Sequence, residues 1–312
     1  MTISAQQRTA GVAQATPVGP GPRRRAWGRR ERIIGLLAVA PALLVVLGFM
    51  LYPVLFALYI SFTKSDGLSF LWVGFENYAT LLADPLVHGV FLTNLKFLIS
   101  VPIVIFVSIV IAVLLFERIR GWKAFRLIFF LPNVLSTAVI GIMFKSVFGY
   151  NGPINALIVA AGGKPVDLFI DGNLSIFVIV LALIWSGFGY QGLLILSGLS
   201  SIDPSVFEAA AIDGAGWWKR LWYITLPNIR RVLGFVFIIN VLYTFTSLFG
   251  FIFVMTAGGP GYATTTIDYL VFLKAFSVGD LGSGAALAVM LFAFIGVLTI
   301  VQAKFFRFGE ED

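Results

Sequence analysis

Apolar residues fall in six long blocks, near 33–62, 90–115, 124–148, 174–197, 229–255 and 283–305, and shorter polar intervals separate them. A helix of about 20 apolar residues crosses the roughly 30 Å of a bilayer's hydrocarbon layer, and each block reaches that length. The pattern predicts an all-α integral membrane protein with six transmembrane helices. Six crossings place both termini on one side. Pro41 and Pro53 stand inside the first block as candidate kinks. Around this domain, taken as 32–306, lie a basic, polar tail at 1–31, expected to be disordered, and a short tail at 307–312.

The polar interval 199–231 between the fourth and fifth blocks has a pattern of its own. Asp203 suits a helix N-cap, and Pro204 the first helical position, where no N–H is needed. The helix is expected to stop near Asp213-Gly214, because glycine accepts the left-handed conformation of a C-terminal cap. A second amphipathic piece, Gly216 to Leu226, then runs into Pro227. Helices this short are marginal alone in water. The interval therefore reads as a docking surface.

Composition agrees with the blocks. Of the 312 residues, 59% are hydrophobic and only 12% charged, too few charges to clothe a soluble domain of this size. There is no cysteine, which excludes disulfides and thiol chemistry. The net charge of +7 invites a nucleic-acid reading until its distribution is examined. Seventeen Lys and Arg lie in the N-terminal tail through Arg32 and in 116–126, 198–231 and 304–312. The alternate intervals hold one each: Lys64, Lys164 and Lys274. That is a positive-inside asymmetry, so the termini are expected to be cytoplasmic and nucleic acid is not an expected partner. Lys96 and Lys145 stand near the outer helix ends, where they can snorkel.

No Asp or Glu falls within any of the six blocks, which weighs against an ion-coupled carrier. No G-x-x-x-x-G-K-[ST] loop is present, so energy from ATP has to enter through another chain. His88 is the sole histidine and no nucleophilic or metal-ligating cluster surrounds it. Asp66, Glu76, Asp84, Asp167, Asp171, Asp268 and Asp280 are scattered over the outer intervals and read mostly as solvated. Trp217, Trp218, Trp222 and Tyr223 fit an interfacial aromatic belt or a partner contact. In the fifth block, Asn240, Tyr243, Thr244 and Ser247 share one helical face near mid-span. Such a stripe either bonds its own backbone and a neighbouring helix, or lines a pathway for uncharged, hydroxyl-rich ligands. The fourth block adds Trp185, Ser186, Gly187, Tyr190 and Gln191, expected closer to the cytoplasmic end.

Glu208-Ala209-Ala210-Ala211-Ile212-Asp213-Gly214-Ala215, followed by Ile224-Thr225-Leu226-Pro227, resembles the E-A-A-x-x-D-G-A … I-x-L-P signature of ABC importer permeases. Further likenesses to the carbohydrate branch are Tyr52-Pro53 with Ser61-Phe62-Thr63, Val73 to Tyr78, Arg126 with Phe130-Leu131-Pro132, and Gly152-Pro153-Ile154-Asn155. Thr256-Ala257-Gly258-Gly259-Pro260 with Thr264-Thr265-Thr266 is similar to a T-x-G-G-P motif of the same branch. These stretches cover nearly everything from 33 to 303. Leu221 departs from the phenylalanine usual at its place.

The resemblance implies a type I ABC importer permease fold in a bacterial-type cytoplasmic membrane. It is that of the six-span maltose-type, glycerol-phosphate-type or lactose-type permeases. It implies that Glu208, Ala209, Ala210, Asp213, Gly214 and Ala215 form a coupling element seated on an ATPase. It also places substrate contacts at Asn240, Tyr243 and Thr244, to which periodicity adds Ser247, and the fourth block Gly187 and Tyr190. Implied partners are two ATPase subunits that bind ATP and Mg, a second permease subunit and an extracytoplasmic sugar-binding protein. This chain has no catalysis or cofactor of its own in that reading. Glycerol phosphate, an amino acid or an oligoanion stands as the alternative cargo, and an ion-coupled carrier or membrane enzyme as the alternative class.

Overall fold

The computed structural model describes residues 29–307, so the basic tail and the last five residues lie outside the described structure. The chain divides into two units, 1–54 and 55–312. In the first, α1 (Arg29–Val45) passes through a π-helical turn at Val46–Leu51 into α2 (Tyr52–Ser61), which ends in the second unit. The second unit follows with β1 (Thr63–Ser65), β2 (Phe70–Trp72), α3 (Glu76–Ala83), α4 (Pro85–Phe97), α5 (Ser100–Phe116), α6 (Trp122–Val134), α7 (Thr137–Phe148) and α8 (Pro153–Ala160). It continues with α9 (Gly172–Leu199), α10 (Pro204–Ile212), α11 (Trp217–Arg220), α12 (Leu226–Asn228), α13 (Arg230–Thr246), α14 (Phe249–Met255), α15 (Ile267–Phe272) and α16 (Leu281–Arg307).

Helix dominates, as the sequence predicts, with one exception. β1 and β2 form an antiparallel hairpin, with Thr63 opposite Trp72. The hairpin turns on Asp66, whose Oδ1 accepts from the Leu68 and Ser69 amides. Those bonds stabilise the charged carboxylate and hold its pKa at about 2. The quoted stretch Val73 to Tyr78 anchors beside it: Asn77 donates to the Ser61 and Thr63 carbonyls.

Four described helices are long and apolar enough to cross a membrane, and six if each of two bent pairs counts as one crossing. The block expected as a straight span at 124–148 is one of those pairs. α6 stops at Val134, and the helical segment from Thr137 leaves at 100° to it. Two local causes act together. Pro132 removes an amide donor near the end of α6, and Ser136 takes an extended conformation and caps α7 through the Val139 amide. The other pair joins the helical stretch 217–228 to α13 at 69°, and within the block expected at 229–255 α13 ends at Thr246 and α14 starts at Phe249.

The core of the second unit forms where α5, α6 and α13 pack on α9. Gly189 of α9 makes the closest approach. A Cβ there would lie 1.9 Å from the Phe129 carbonyl oxygen of α6, so no residue with a side chain fits at that crossing. One core cluster joins Ile179, Leu183, Leu248, Phe251 and Ile252, tying α9 to the short α14. Another joins Ala112, Ile195, Leu199, Ile229 and Val236, at the end of the bundle near the 199–231 interval.

Candidate functional site

The 199–231 interval folds as its residues dictate. Asp203 caps α10 by accepting from the Ser205 amide, which lowers its pKa below the ordinary carboxylate value. At the other end the Gly214 amide donates to the Ala211 carbonyl and the Ala215 amide to the Ala210 carbonyl. That pair of bonds is a Schellman cap, and Gly214 supplies its left-handed residue at φ +71°. Gly216 then opens a helix through α11, a π turn and α12 that meets α13 at 69°. The result is a helical hairpin over 204–228.

Most of its signature residues face outward. Glu208, Ala209, Asp213 and Gly214 are exposed, Ile212 is 87% exposed, and nothing lies within 4 Å of where a Gly214 Cβ would be. Ala210 departs from expectation. It is buried, so its small side chain serves the packing beneath α10 and not the outer face. Between the hairpin and the end of α5 is a cleft of about 340 Å³, lined by Glu208, Phe207, Trp217, Arg220 and Glu117 among others. Trp217 donates its indole N–H to the Glu117 carboxylate, while Trp218, Trp222 and Tyr223 remain exposed.

A second cavity, of about 310 Å³, opens where the break between α6 and α7 meets α5, α9 and α13. Gly187, Tyr190, Asn240, Tyr243 and Thr244 line it, as do Ser100, Asn133, Thr137, Ser186 and Gln191. None of its lining residues is charged. Gln191 Nε2 donates to Asn240 Oδ1, so these two residues stand at one depth. The sequence alone leads one to expect Gln191 closer to the cytoplasmic end than Asn240. The antiparallel pairing of α9 and α13 corrects it, because both positions lie a similar number of residues from the shared 199–231 interval. Asn240 also donates to the Val236 carbonyl, and Thr244 to that of Asn240. Asn240 and Thr244 therefore bond their own backbone and, through Gln191, a neighbouring helix, and with Tyr243 they line the uncharged cavity.

Two candidates move out of the site. Ser247 ends α13 at φ −135°, off the helical face, and does not line the cavity. Trp185 packs on Phe144, with ring centroids 5.8 Å apart, within the apolar core. Asn133, Thr137 and Ser100 were missed. The signal for the first two was the Pro132-to-Ser136 stretch, which marks a break and was read as continuous helix.

The scattered carboxylates are not simply solvated. Asp84, Asp171 and Asp280 accept from the amides of Leu86, Asn173 and Ser283, at the starts of α4, α9 and α16. Asp84 also pairs with Lys274 at 3.8 Å. Asp268 is half-buried, and burial pushes its carboxyl up from the ordinary value. Lys145 Nζ donates to the Val254 carbonyl at 3.1 Å. His88 lines a largely apolar groove with Phe91, Leu287 and Phe294, and no group of metal-ligating side chains occurs among the described residues. In the T-x-G-G-P stretch the hydroxyls of Thr264 and Thr265 close the loop onto the carbonyls of Gly259 and Gly258.

Comparison with known proteins places this geometry. Residues 79–307 match the family described as binding-protein-dependent transport system inner membrane component. The sn-glycerol-3-phosphate transport system permease protein UgpA of Escherichia coli O6:K15:H31 is 33% identical over 279 residues, 88% of this chain and 95% of that protein. Its counterpart in Brucella abortus biovar 1 is 31% identical over 284 residues, covering 90% and 96%. Among solved structures, a chain of a bacterial ABC transporter involved in the import of the acidic polysaccharide alginate superposes with a TM-score of 0.79. The match covers 89% of this chain and 96% of that one at 19% identity, a likeness of fold.

Proposed function

The chain belongs to the family of inner membrane components of binding-protein-dependent transport systems, and from that premise we propose how it carries its cargo. It is a transport permease component and not a catalytic subunit. In our reading six crossings, two of them bent, form one half of a translocation pathway in a bacterial cytoplasmic membrane. The termini and the 204–228 hairpin face the cytoplasm, in keeping with the positive-inside asymmetry.

The observation that carries the reading is the uncharged cavity at the break between α6 and α7, where amide and hydroxyl groups stand among apolar side chains. Non-helical backbone at membrane depth is tolerated where it is buried or lines a cavity, and importers build solute sites at such discontinuities. Amide and hydroxyl groups from Asn133, Thr137, Ser186, Gln191 and Asn240, with the rings of Tyr190 and Tyr243, suit a neutral carbohydrate. Closure of two ATPase subunits, which bind ATP and Mg, reaches this site through Glu208, Ala209, Asp213 and Gly214 on the exposed face of the hairpin. Ala210 and Ala215 support that face from behind. A second permease subunit completes the pathway, and an extracytoplasmic binding protein delivers the sugar.

The names of the relatives favour a second reading, in which the cargo is sn-glycerol 3-phosphate. An anionic cargo calls for cationic groups along the path, and this chain's share of the cavity has none. Uptake by the reconstituted importer decides between them, using radiolabelled glucose, maltose, lactose and sn-glycerol 3-phosphate in parallel. The carbohydrate reading expects ATP-dependent uptake of a neutral sugar, impaired by Asn240→Leu and by Tyr243→Ala while the complex still assembles. Uptake of the phosphate ester alone establishes the second reading, and normal kinetics in both variants remove the cavity from the pathway.

A further inference from the structure

The break between α13 and α14 lacks the usual sequence causes. Thr246-Ser247-Leu248 contains neither proline nor glycine, yet the helix stops and restarts there. The reason lies in a segment about twenty residues later. Asp268 Oδ2 accepts from the Phe249 amide at 2.8 Å, at the first residue of α14. Its Oδ1 accepts from the Tyr269 amide at 2.9 Å and from the Thr266 hydroxyl. A carboxylate at this position satisfies amides that a new helix start leaves without partners, and its charge suits the helix dipole.

The neighbouring residue grips the other side of the break. The Ile267 amide donates to Asn94 Oδ1 at 2.8 Å, and Asn94 Nδ2 donates to the Thr244 carbonyl at 3.0 Å. Residues 267 and 268 therefore hold α13 and α14 at once, one through Asn94 and the other directly. At the far end of α14, Lys145 of α7 donates to the Val254 carbonyl, a cation at the C-terminal end. α14 is thus held at each end by a charge of the sign its dipole favours, from two different elements. Tyr243 stands one turn before the break, and the Ser247 amide donates to its carbonyl at 3.0 Å.

We propose that Asp268 is a positioning residue for the cavity: by anchoring the start of α14 it sets the turn that presents Tyr243 and Thr244. It does not line the cavity. Its consequence for transport rests on reading that cavity as the carbohydrate site, whereas the positioning itself is testable without any cargo.

Because the chain has no cysteine, single cysteines introduced into it report locally. Tyr243→Cys and Tyr190→Cys are each placed in the full importer complex and labelled with N-ethylmaleimide, and the rate is read from the mass of this subunit. Both positions line the cavity, but Tyr190 stands on α9 away from the clamp. Asp268→Asn is expected to change the rate at Tyr243→Cys by about tenfold, the scale of a lost charge-assisted hydrogen bond, and leave Tyr190→Cys within about twofold. Thr266→Val, which removes only the hydroxyl donor, is expected to shift Tyr243→Cys the same way by a smaller factor. Should Asp268→Asn fail to assemble, Thr266→Val decides alone. Unchanged rates at Tyr243→Cys, or equal shifts at both positions, overturn the proposal and reduce Asp268 to a general stabiliser. Failure of Asn240→Leu to impair uptake touches the carbohydrate reading and leaves this result standing.

Discussion

Around the cavity, Asn240 and Thr244 find hydrogen-bond partners within the chain and Gln191 Oε1 has none among the described residues; on the 204–228 hairpin the acidic side chains face outward. Asn240 and Thr244 are buried and bonded to their own helix or to Gln191. Glu208 and Asp213 are exposed, and Ile212 sits beside them almost fully bare. The cavity is lined by side chains from α5, α6, α7, α9 and α13, whereas the 204–228 hairpin is shaped in its backbone, through caps at both ends, and leaves its outer face exposed.

Changes in the two regions should consequently fail in different ways. The largest effect belongs to Gly189→Ala beneath the cavity. Its methyl meets the Phe129 backbone oxygen, and overpacking against backbone costs at least about 1–3 kcal/mol. Loss of assembled importer on size-exclusion chromatography is the expected outcome, and normal yield would show that α6 gives way easily. Glu208→Ala comes next. It should leave the thermal melting of the permease unchanged while uptake and transport-coupled ATPase fall about tenfold or more, as when one partner of an interfacial charge pair is truncated. A matching loss of melting temperature would instead make Glu208 part of the internal packing and erase the contrast.

Gly214→Ala should act more mildly. No atom obstructs the new methyl, so the cost is that of holding a residue with a Cβ at φ +71°, about 1–2 kcal/mol. ATPase binding, measured by titration of the purified subunits, should weaken several-fold with the transmembrane part intact. The smallest effect is the pH response of the Asp203 cap. Its folded pKa is lowered by the Ser205 amide, so its contribution is complete above the ordinary carboxylate value of about 4 and is lost as pH falls through the folded value below that. Docking should not change between pH 7 and 5 on account of this group. Asp203→Asn, which keeps a capping oxygen, should remove its acid-side contribution in the same titration.

The hairpin was legible because its causes are close in sequence. Asp203 acts on Ser205, and Gly214 and Ala215 on residues three and five positions earlier. The site was legible only in part. Periodicity collected Asn240, Tyr243 and Thr244, since one helical face is a local property, and it wrongly extended that face to Ser247. Asn133 and Thr137 flank a break whose local marks, Pro132 and Ser136, were present but outweighed by the apolar run around them. The second break, at Ser247-Leu248, carries no proline, and the carboxylate that bonds the Phe249 amide there comes from Asp268, in a distant element.

By itself, then, the sequence determined the apolar blocks, the caps, the hairpin and the docking surface it offers, because each follows from residue types within one or two turns. Tertiary structure decided where the helices break, that Gln191 meets Asn240 across 49 positions, and that Asn94 reaches Ile267 across 173. Hydrogen-bonding groups taken out of water must find partners wherever the fold brings them, and no local spacing encodes which distant residue that will be.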